Sequence, residues 1–482
     1  MNDKKILIAF FILLVYVACY GSAQEKVEKL LRSRNYTNGG IGVVIKDLDT
    51  DSSIVSINAD SLMIPASVSK LVTGAAAFEL LGLEYTFDTP VYIDGKYDGD
   101  SGVVHGDLYI QGRGDPGFSV ERLWLFVQHL KHRGINYVYG DLVLDDFYFD
   151  SVNVGPGFSD KDGSRAYQSL INALSVNFSS VAIHHRSGQN IGSPVHVDIF
   201  PRIEGIKINS SAMTVAPGTR GRLEISTCSE SGTTQIDVRG GMALNDSSRY
   251  TYRKVWQTWE AFGGAVRALF KENGIMVRGN TVRGKVPSKL TAEEPFYSFK
   301  SLPLSDYVGY MFKWSSNFAS EMLFKTLGAI ETGGAGSWRG GAKAVSRWWE
   351  DAGLPEGASI VNGSGMGTNT NLYSASQIVE LLTHVSGQKE YFPEFLTSLA
   401  VAGVDGTLED RFRRSGLKGL VRAKTGTLNS AGVSTLAGYV LLENKTYAFA
   451  ILCNRIGRGQ YDNWVMQEQI LGELISGIRW VD

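Results

Sequence analysis

The sequence contains little that would favour a metal site or binding to nucleic acid. It has three cysteines and seven histidines among 482 residues, and no Cys/His cluster has the spacing of metal ligands. Lysine and arginine together number 47, against 49 aspartates and glutamates, so the basic excess that attracts nucleic acid is missing. We therefore expect no metal, no cofactor and no nucleic-acid partner.

Cysteine is also too scarce to build a disulfide framework. Two cysteines, Cys228 and Cys453, follow the N-terminal segment, far apart in the chain. Export would permit a disulfide, but two isolated cysteines do not indicate one. We expect both to be buried free thiols.

Long apolar runs are confined to the N-terminus. Lys4 and Lys5 precede an apolar run from Ile6 to Ala18, and Gly21-Ser22-Ala23 follows it. This order is typical of a signal peptide, so we expect cleavage after Ala23 and export to the periplasm or cell envelope. The run is short for a membrane-spanning helix. A lipoprotein signal that anchors the chain through Cys19 is the alternative.

The apolar content of 43% is that of a folded protein, and the length predicts two to four domains. Strand and helix patterns are alike at the two ends of the chain and differ in the middle, which predicts an α+β multidomain fold with an insertion. The predicted parts are a domain built from both ends of the chain (24–83 and 288–482), an inserted α/β domain (84–177 and 251–287) and a small β-rich inserted domain (178–250).

Ser67 and Lys70 form the first functional motif. Apolar residues recur at helical spacing from Ser69 to Leu81, which predicts a helix there. Residues three apart lie on one helix face, so the two side chains would point into the same space. A serine hydroxyl is a weak nucleophile until a base takes its proton, and a neutral lysine one turn away can be that base.

Ser-x-x-Lys is weak evidence when it stands alone. The pattern recurs at Ser386–Lys389 and Ser415–Lys418, and a cap serine beside a solvated lysine is its commoner explanation. Two further signals follow in chain order. Ser315-Ser-Asn317 lies at a predicted break between helices, and Lys424-Thr425-Gly426 lies in a predicted strand beside a hairpin. The three motifs, in this order and these contexts, are typical of penicillin-recognising acyl transferases.

The sequence resembles the low-molecular-mass class C penicillin-binding proteins, which are D-alanyl-D-alanine carboxypeptidase/endopeptidases of peptidoglycan metabolism. The matching stretches span nearly the whole mature chain: Ile64–Val72, Gly112–Pro116, Gly140–Asp146, Ala173–Asn177, Asn362–Gly365, Val401–Leu408 and Ala423–Thr427. The resemblance implies a β-lactamase/transpeptidase-like catalytic domain, with a sheet flanked by helices and a long insertion. Ser316 and Asn362 depart from the aspartates common in the family.

The resemblance also implies a substrate and the roles of the catalytic residues. The expected partners are a peptidoglycan stem peptide that ends in D-Ala-D-Ala and β-lactam antibiotics. Ser67 is the expected nucleophile and Lys70 the expected base, and burial and the neighbouring cation Lys424 would favour the neutral form of Lys70. Ser315 is expected to relay the proton to the leaving nitrogen, and Asn317 to hold Lys70 and the substrate amide.

The substrate-binding residues follow from the same resemblance. Lys424 and Thr425 are expected to bind the terminal carboxylate, and Gly426 to let the substrate lie against the strand edge. The backbone N–H groups of Ser67 and Thr427 are expected to form the oxyanion hole.

Two other functions remain open. A β-lactamase would need efficient deacylation, and no compact Glu-containing loop of the class A type is evident. A non-catalytic cell-wall or β-lactam-binding protein would be expected to have lost a motif residue, and none is lost. Asp145, Asp146 and Asp150 of the insertion either face the cleft or cap turns.

Overall fold

The structure, a computed structural model, describes residues 23–34, 36, 40–158, 163–219, 221–455 and 459–478. The predicted signal peptide before Ala23 and the candidate lipidation site Cys19 lie outside these residues. The helices are α1 (23–33), α2 (Ser69–Leu81), α3 (Val120–His132), α4 (Thr258–Glu272), α5 (Ser288–Thr291), α6 (Leu304–Lys313), α7 (Asn317–Thr332), α8 (Trp338–Asp351), α9 (Ala375–Gly387), α10 (Phe392–Ser398) and α11 (Gln460–Ile478).

Twenty strands are present in the described residues. They are β1 (Gly40–Asp47), β2 (Ser52–Ile57), β3 (Asp88–Asp98), β4 (Val103–Gln111), β5 (Tyr137–Val138), β6 (Leu142–Asp145), β7 (Ser180–Arg186), β8 (His196–Phe200), β9 (Lys207–Ser210), β10 (Met213–Val215), β11 (Leu223–Glu230), β12 (Thr233–Ala243), β13 (Arg249–Lys254), β14 (Met276–Val277), β15 (Thr281–Arg283), β16 (Tyr297–Lys300), β17 (Ala400–Val401), β18 (Val421–Leu428), β19 (Val433–Leu442) and β20 (Lys445–Asn454).

The described chain divides into two compact units. The first comprises residues up to Leu83, Val308–Ser320 and residues from Ala342 onward; the second comprises Glu84–Tyr307 and Glu321–Gly341. Residues 288–307 and 321–341 fall in the second unit, although they lie within the range predicted for the domain built from both ends of the chain. Residues Tyr297–Lys300 form β16, which pairs with β3 of the second unit. The separation of residues 178–250 as a domain of its own stays a prediction.

The first unit is built around an antiparallel sheet of order β17-β18-β19-β20-β1-β2. β1 pairs with β20 from Gly40–Asn454 to Asp47–Tyr447, so the two ends of the chain share one sheet. Alternate residues of β1 face opposite sides. Ile41, Val43 and Ile45 join the core formed with α1 and α11, whereas Gly42 faces Ala375 at the start of α9. A sheet flanked by helices is the predicted architecture.

The second unit contains three sheets. The largest runs β14-β5-β4-β3-β16, with β6 paired to β4 and β15. Helices α3 and α4 pack on it through Phe126 and Phe262, which share one core with Leu108 and Leu142 of the sheet. The smaller sheets are β10-β12-β11, extended by β9, and β13-β7-β8. The predicted β-rich character of residues 178–250 agrees with these strands.

Two stretches of the second unit whose apolar residues predict one continuous strand each, Tyr137–Leu144 and Met276–Val282, are divided in the structure. The stretch Tyr137–Leu144 forms β5 and β6, and Met276–Val282 forms β14 and most of β15. The interruptions lie where backbones approach closely. A Cβ atom on Gly140 would lie 2.4 Å from Gly106 O, and one on Gly279 would lie 2.3 Å from Gly140 O. Glycine marks such approaches, and the predicted continuous strands are wrong at these points.

The prediction of two buried thiols holds for one cysteine only. Both cysteines are free, but Cys228 is exposed and Cys453 is buried. Along β11 the buried positions are Ile225 and Thr227, so the two-residue period of a strand places Cys228 on the opposite face. Burial raises the pKa of the Cys453 thiol to about 12.

In the part of the chain that the structure describes, no helix is long and apolar enough to cross a membrane.

Candidate active site

Ser67 lies in a single 3-10 turn, Ala66–Val68, that leads directly into α2. The preceding Ala66 has a φ of +47°, a conformation that L residues rarely adopt and that is found most often at functional sites. The sheet fixes this turn, because the Thr435 hydroxyl of β19 donates to Pro65 O at 2.7 Å. The half-buried Ser67 side chain is thus held at the N-terminal end of a helix.

Lys70 lies one turn further along α2 and is completely buried. Its Nζ donates to Ser67 Oγ at 2.8 Å and to Asn317 Oδ1 at 2.8 Å. It also donates to the backbone oxygen of Ser364 at 2.9 Å. The first two partners are residues that the sequence analysis placed in the site, and the third is not.

The carbonyl of Ser364 is a site group that sequence reasoning missed. Gly365 follows it with a φ of +75°, and a Cβ atom there would lie 1.9 Å from Ala66 O. Asn362 forms the turn, since its Oδ1 accepts the Gly365 N–H at 2.8 Å. Asn362 is therefore a structural residue here, and the Asn-Gly-Ser-Gly pattern was the available signal for a tight turn at this position.

The second motif lies between α6 and α7, as the predicted helix break requires. Ser315 has a φ of +57°, and α7 begins at Asn317, whose side-chain oxygen accepts from Lys70. The Ser316 hydroxyl accepts the Ala319 N–H at 3.2 Å. Ser316 thus caps the helix, while the residues on either side of it reach the two buried lysines.

The third motif lies on β18. Lys424 Nζ donates to Ser315 Oγ at 2.8 Å and to Thr425 O at 2.7 Å. The Thr425 hydroxyl donates to Thr407 Oγ1 at 2.9 Å, a contact that the sequence did not reveal. The short strand β17 reaches only Ala423, so within the described chain β18 has no strand partner on that side from Lys424 onward.

Lys424 is electrostatically unusual. It is completely buried and makes no ion pair with an acid of the described residues. Burial, and secondly the charge of Lys70, hold the pKa of Lys424 well below its usual value. Two ammonium groups in one buried site repel each other. The pair therefore loses one proton more readily than an isolated lysine does.

The three insertion aspartates make structural contacts within the second unit. Asp145 accepts the backbone N–H groups of Phe147 and Val286 at 3.1 and 2.9 Å. Asp146 accepts from Arg283 Nε at 2.7 Å, and Asp150 from Lys325 Nζ at 2.7 Å. These contacts favour the turn-forming and charge-pairing interpretation of the three residues.

The chain matches the model of the D-Ala-D-Ala carboxypeptidase 3 (S13) family over residues 23–471. It belongs to this family. The predicted membership of the low-molecular-mass class C penicillin-binding proteins and the predicted enzyme class, a carboxypeptidase hydrolase, are thereby confirmed.

Two relatives illustrate the extent of the likeness. The D-alanyl-D-alanine carboxypeptidase of Actinomadura sp. (strain R39) is 32% identical over 445 residues, 89% of this chain and 80% of the relative. The solved structure of penicillin binding protein 4 (dacB) from Haemophilus influenzae matches 94% of this chain and 99% of that chain, with a TM-score of 0.79 at 24% identity. Its complex with a novel β-lactam gives a TM-score of 0.74 at 22% identity, with the same coverage. The predicted fold class is confirmed.

In this S13 carboxypeptidase, Gly426 is expected to be indispensable for the geometry of the site. A Cβ atom there would lie 2.2 Å from Thr435 Oγ1, 2.7 Å from Pro65 O and 3.0 Å from Ser67 N. The backbone atoms cannot rotate away, so Gly426→Ala must move β18 relative to the serine turn. We expect the rate of D-alanine release to fall by roughly a hundredfold, as a displacement near 1 Å can cause.

The matched control is Gly472→Ala in α11, where an added Cβ atom meets nothing within 4 Å. Helix propensity predicts that this change stabilises the protein by about 0.5–1 kcal/mol, with activity unchanged. D-alanine release at saturating substrate and a thermal unfolding curve are measured for both variants. Full activity of Gly426→Ala would show that the strand and the serine turn adapt independently.

Proposed function

We propose that this S13 carboxypeptidase hydrolyses the bond between the two terminal D-alanines of a peptidoglycan stem peptide through an acyl-enzyme on Ser67. The supporting observation is the arrangement of two buried lysines around two serines. Lys70 Nζ lies 2.8 Å from Ser67 Oγ, and Lys424 Nζ lies 2.8 Å from Ser315 Oγ.

Acylation begins with proton transfer. In its neutral form Lys70 accepts the proton of the Ser67 hydroxyl, and the oxygen attacks the carbonyl carbon of the penultimate D-alanine. The carbonyl oxygen becomes an oxyanion and accepts hydrogen bonds from the backbone N–H groups of Ser67 and Thr427. Each such donor lowers the barrier by about 3–4 kcal/mol in serine hydrolases.

The tetrahedral intermediate then loses its C–N bond. The departing D-alanine nitrogen takes up the proton that Lys70 accepted from Ser67, relayed through the Ser315 hydroxyl, and Lys70 becomes neutral again. Lys424 holds the Ser315 hydroxyl in place at 2.8 Å. Asn317 keeps Lys70 in position throughout, since its side-chain oxygen contacts Nζ at 2.8 Å. Water attacks the resulting ester at the same carbonyl carbon, and Ser67 is regenerated as the peptide acid leaves.

Substrate binding uses the charge of Lys424 and the free edge of β18. The terminal carboxylate of the substrate would provide the acid that Lys424 lacks, and the Thr425 hydroxyl would add a hydrogen bond. A peptide laid along the open edge of β18 gains backbone hydrogen bonds of the kind used in β-strand addition. The absence of a Gly426 side chain lets the serine turn approach β18, because a Cβ atom there would lie 3.0 Å from Ser67 N.

The same groups suit a β-lactam, which presents a carboxylate and a reactive amide to one serine. Cleavage of a peptide cross-link would use the same acyl-enzyme, so we propose endopeptidase activity as a second reaction of Ser67. Chromatography separates the two activities, because one releases D-alanine from pentapeptide fragments and the other releases monomers from cross-linked dimers.

We propose action in the periplasm or cell envelope after cleavage at Ala23, with lipidation at Cys19 as the alternative mode of retention.

The decisive experiment is intact mass spectrometry after incubation with benzylpenicillin, followed by peptide mapping. We expect one stable adduct on the peptide that contains Ser67, because its hydroxyl is the one that Lys70, the proposed base, contacts. Rapid hydrolysis of the drug without a lasting adduct would instead identify a β-lactamase. If neither an adduct nor hydrolysis of the drug is detected, the chain is a non-catalytic binding protein.

A further inference from the structure

The second unit contains a cavity of about 530 Å³, within the range of small-molecule sites. It opens where β3 begins and where β4 and β6 end. Its lining includes three aromatic rings, two cations and two acids: Tyr85, Phe147, Tyr148, Arg113, Lys285, Asp88 and Asp145. None of these residues takes part in the proposed acyl transfer.

The guanidinium of Arg113 is held in place by hydrogen bonds to Gln111. Its Nε and Nη2 donate to Gln111 Oε1 at 3.2 and 3.1 Å, and Gln111 Nε2 donates to Asp145 Oδ2 at 3.0 Å. Asp145 is 4% exposed and is itself fixed by two backbone N–H groups. This chain of hydrogen bonds orients the Arg113 guanidinium. Its Nη1 donates to no group of the described residues and is thus available to a ligand.

Lys285 supplies a second cation to the same cavity. Its ammonium lies 5.1 Å from the centre of the Phe147 ring, and among the described residues it forms no ion pair. Arg113 likewise pairs with no acid there. A planar guanidinium fork beside a flexible ammonium is the combination that proteins use to bind a carboxylate.

Asp88 provides the opposite charge. Its Oδ1 is buried and has no hydrogen-bond partner among the described residues, which costs free energy until a donor arrives. Burial first, and then the neighbouring Tyr148 and Asp88, raise the pKa of Tyr85 to about 12, and Arg113 opposes them. The phenol of Tyr85 therefore stays neutral at physiological pH and available as a donor.

We propose that this cavity binds a small zwitterion, either a free amino acid or a short peptide. Its carboxylate contacts Arg113 and Lys285, its amino group donates to Asp88 Oδ1, and its hydrocarbon part lies against the Tyr85, Phe147 and Tyr148 rings. Two sources share this chemistry, free D-alanine and the short peptide of the cell wall. The choice of these sources rests on the proposed function, whereas the binding chemistry does not.

Binding is measured by isothermal titration calorimetry on the full chain, with Ser67 first acylated by benzylpenicillin to close the active site. The probes are D-alanine and L-alanyl-D-glutamate, each compared with its N-acetyl derivative and with a derivative in which every carboxylate is a carboxamide. We expect saturable binding of at least one zwitterion. Both of its derivatives should bind more weakly than it does by roughly tenfold or more, because each leaves a charged group of the cavity unpaired. The tighter of the two probes identifies the source.

Arg113→Met and Lys285→Met test the residues. Each should weaken zwitterion binding by about tenfold or more and abolish the preference for the carboxylate over the amide. Lys207→Met, which removes an exposed cation of β9 outside the cavity, is the matched control and should bind normally. Unchanged acylation by benzylpenicillin shows that each variant is folded.

Three results would overturn this site: no saturable binding of either zwitterion, equal binding of the amides, or full affinity in both cavity variants. If benzylpenicillin fails to acylate Ser67, the titrations are repeated on the unmodified chain and on Ser67→Ala. Binding that depends on Arg113 in that case supports the cavity while the proposed function fails, so the two failures are distinguishable.

Discussion

Replacing Ser67 with alanine is expected to lower D-alanine release by a factor on the order of 10⁴ to 10⁶, as loss of the nucleophile does in serine hydrolases. In the proposed mechanism the Ser67 oxygen forms the acyl bond, and no other group replaces it in the turn before α2. Acylation by benzylpenicillin should disappear from the mass spectrum of the variant. The fold should survive, because a half-buried oxygen is removed and its partner Lys70 keeps contacts to Asn317 and Ser364.

Ser69→Ala is the matched control for this change. Ser69 lies two residues further along the same motif and is 1% exposed, yet its hydroxyl has no hydrogen-bond partner in the described chain. Its removal should leave both acylation and turnover within about twofold of the parent, since no reacting atom loses a contact and the hydroxyl removed is an unsatisfied buried group. The pair thus separates the nucleophile from its nearest serine neighbour.

Three outcomes would count against the assignment. Normal turnover by Ser67→Ala would mean that another residue attacks the substrate. Loss of acylation in Ser69→Ala alone would move the nucleophile by two residues. If circular dichroism and the melting curve show that Ser67→Ala has lost its cooperative unfolding transition, the inactivity of the variant is due to misfolding.

Local sequence patterns predicted the parts of the site that depend on local geometry. The helix predicted from Ser69 to Leu81 has the observed bounds of α2, because its apolar period and the preceding proline act within one segment. The break before Asn317 was also predicted. There the positive φ of Ser315 separates two helices that each have their own apolar face.

What the sequence could not predict depends on contacts between distant segments. The Ser364 carbonyl reaches Lys70 across 294 positions of the chain, and a backbone oxygen leaves no signature in residue type. The division of the Tyr137–Leu144 stretch depends on how closely Gly140 approaches Gly106. The cavity beside Arg113 is assembled from the start of β3 and from residues at or after the ends of β4, β6 and β15. Neither its lining nor its unpaired cations can therefore be inferred from any one motif.

Replacing Lys424 with methionine is expected to lower kcat/KM for a D-Ala-D-Ala substrate by roughly a hundredfold or more, because a buried charged hydrogen bond to the substrate carboxylate is lost. A substrate that ends in a carboxamide isolates this effect. The parent should already process it poorly, and the variant should process the carboxylate and the carboxamide at similar rates. Steady-state kinetics on the two substrates measures the coupling between the Lys424 ammonium and the carboxylate.

The matched control is Lys46→Met. Lys46 is another largely buried lysine of the first unit, but it is paired with Asp51 and Glu380. Its loss should reduce stability and leave the preference for a carboxylate intact. An equal loss of activity in both variants would mean that Lys424 matters only because it is a buried lysine.

The pH dependence gives an independent test of the same residue. Burial and the charge of Lys70 hold the pKa of Lys424 well below its usual value, so the charged form that binds a carboxylate is present at low pH and is lost as the pH rises through this lowered pKa. The parent should therefore show an alkaline decline in kcat/KM at a lower pH than an exposed lysine would produce. This decline should be absent in Lys424→Met and in the parent acting on the carboxamide. If it persists in both, the alkaline decline belongs to another group, and the carboxylate is not recognised by the charge of Lys424.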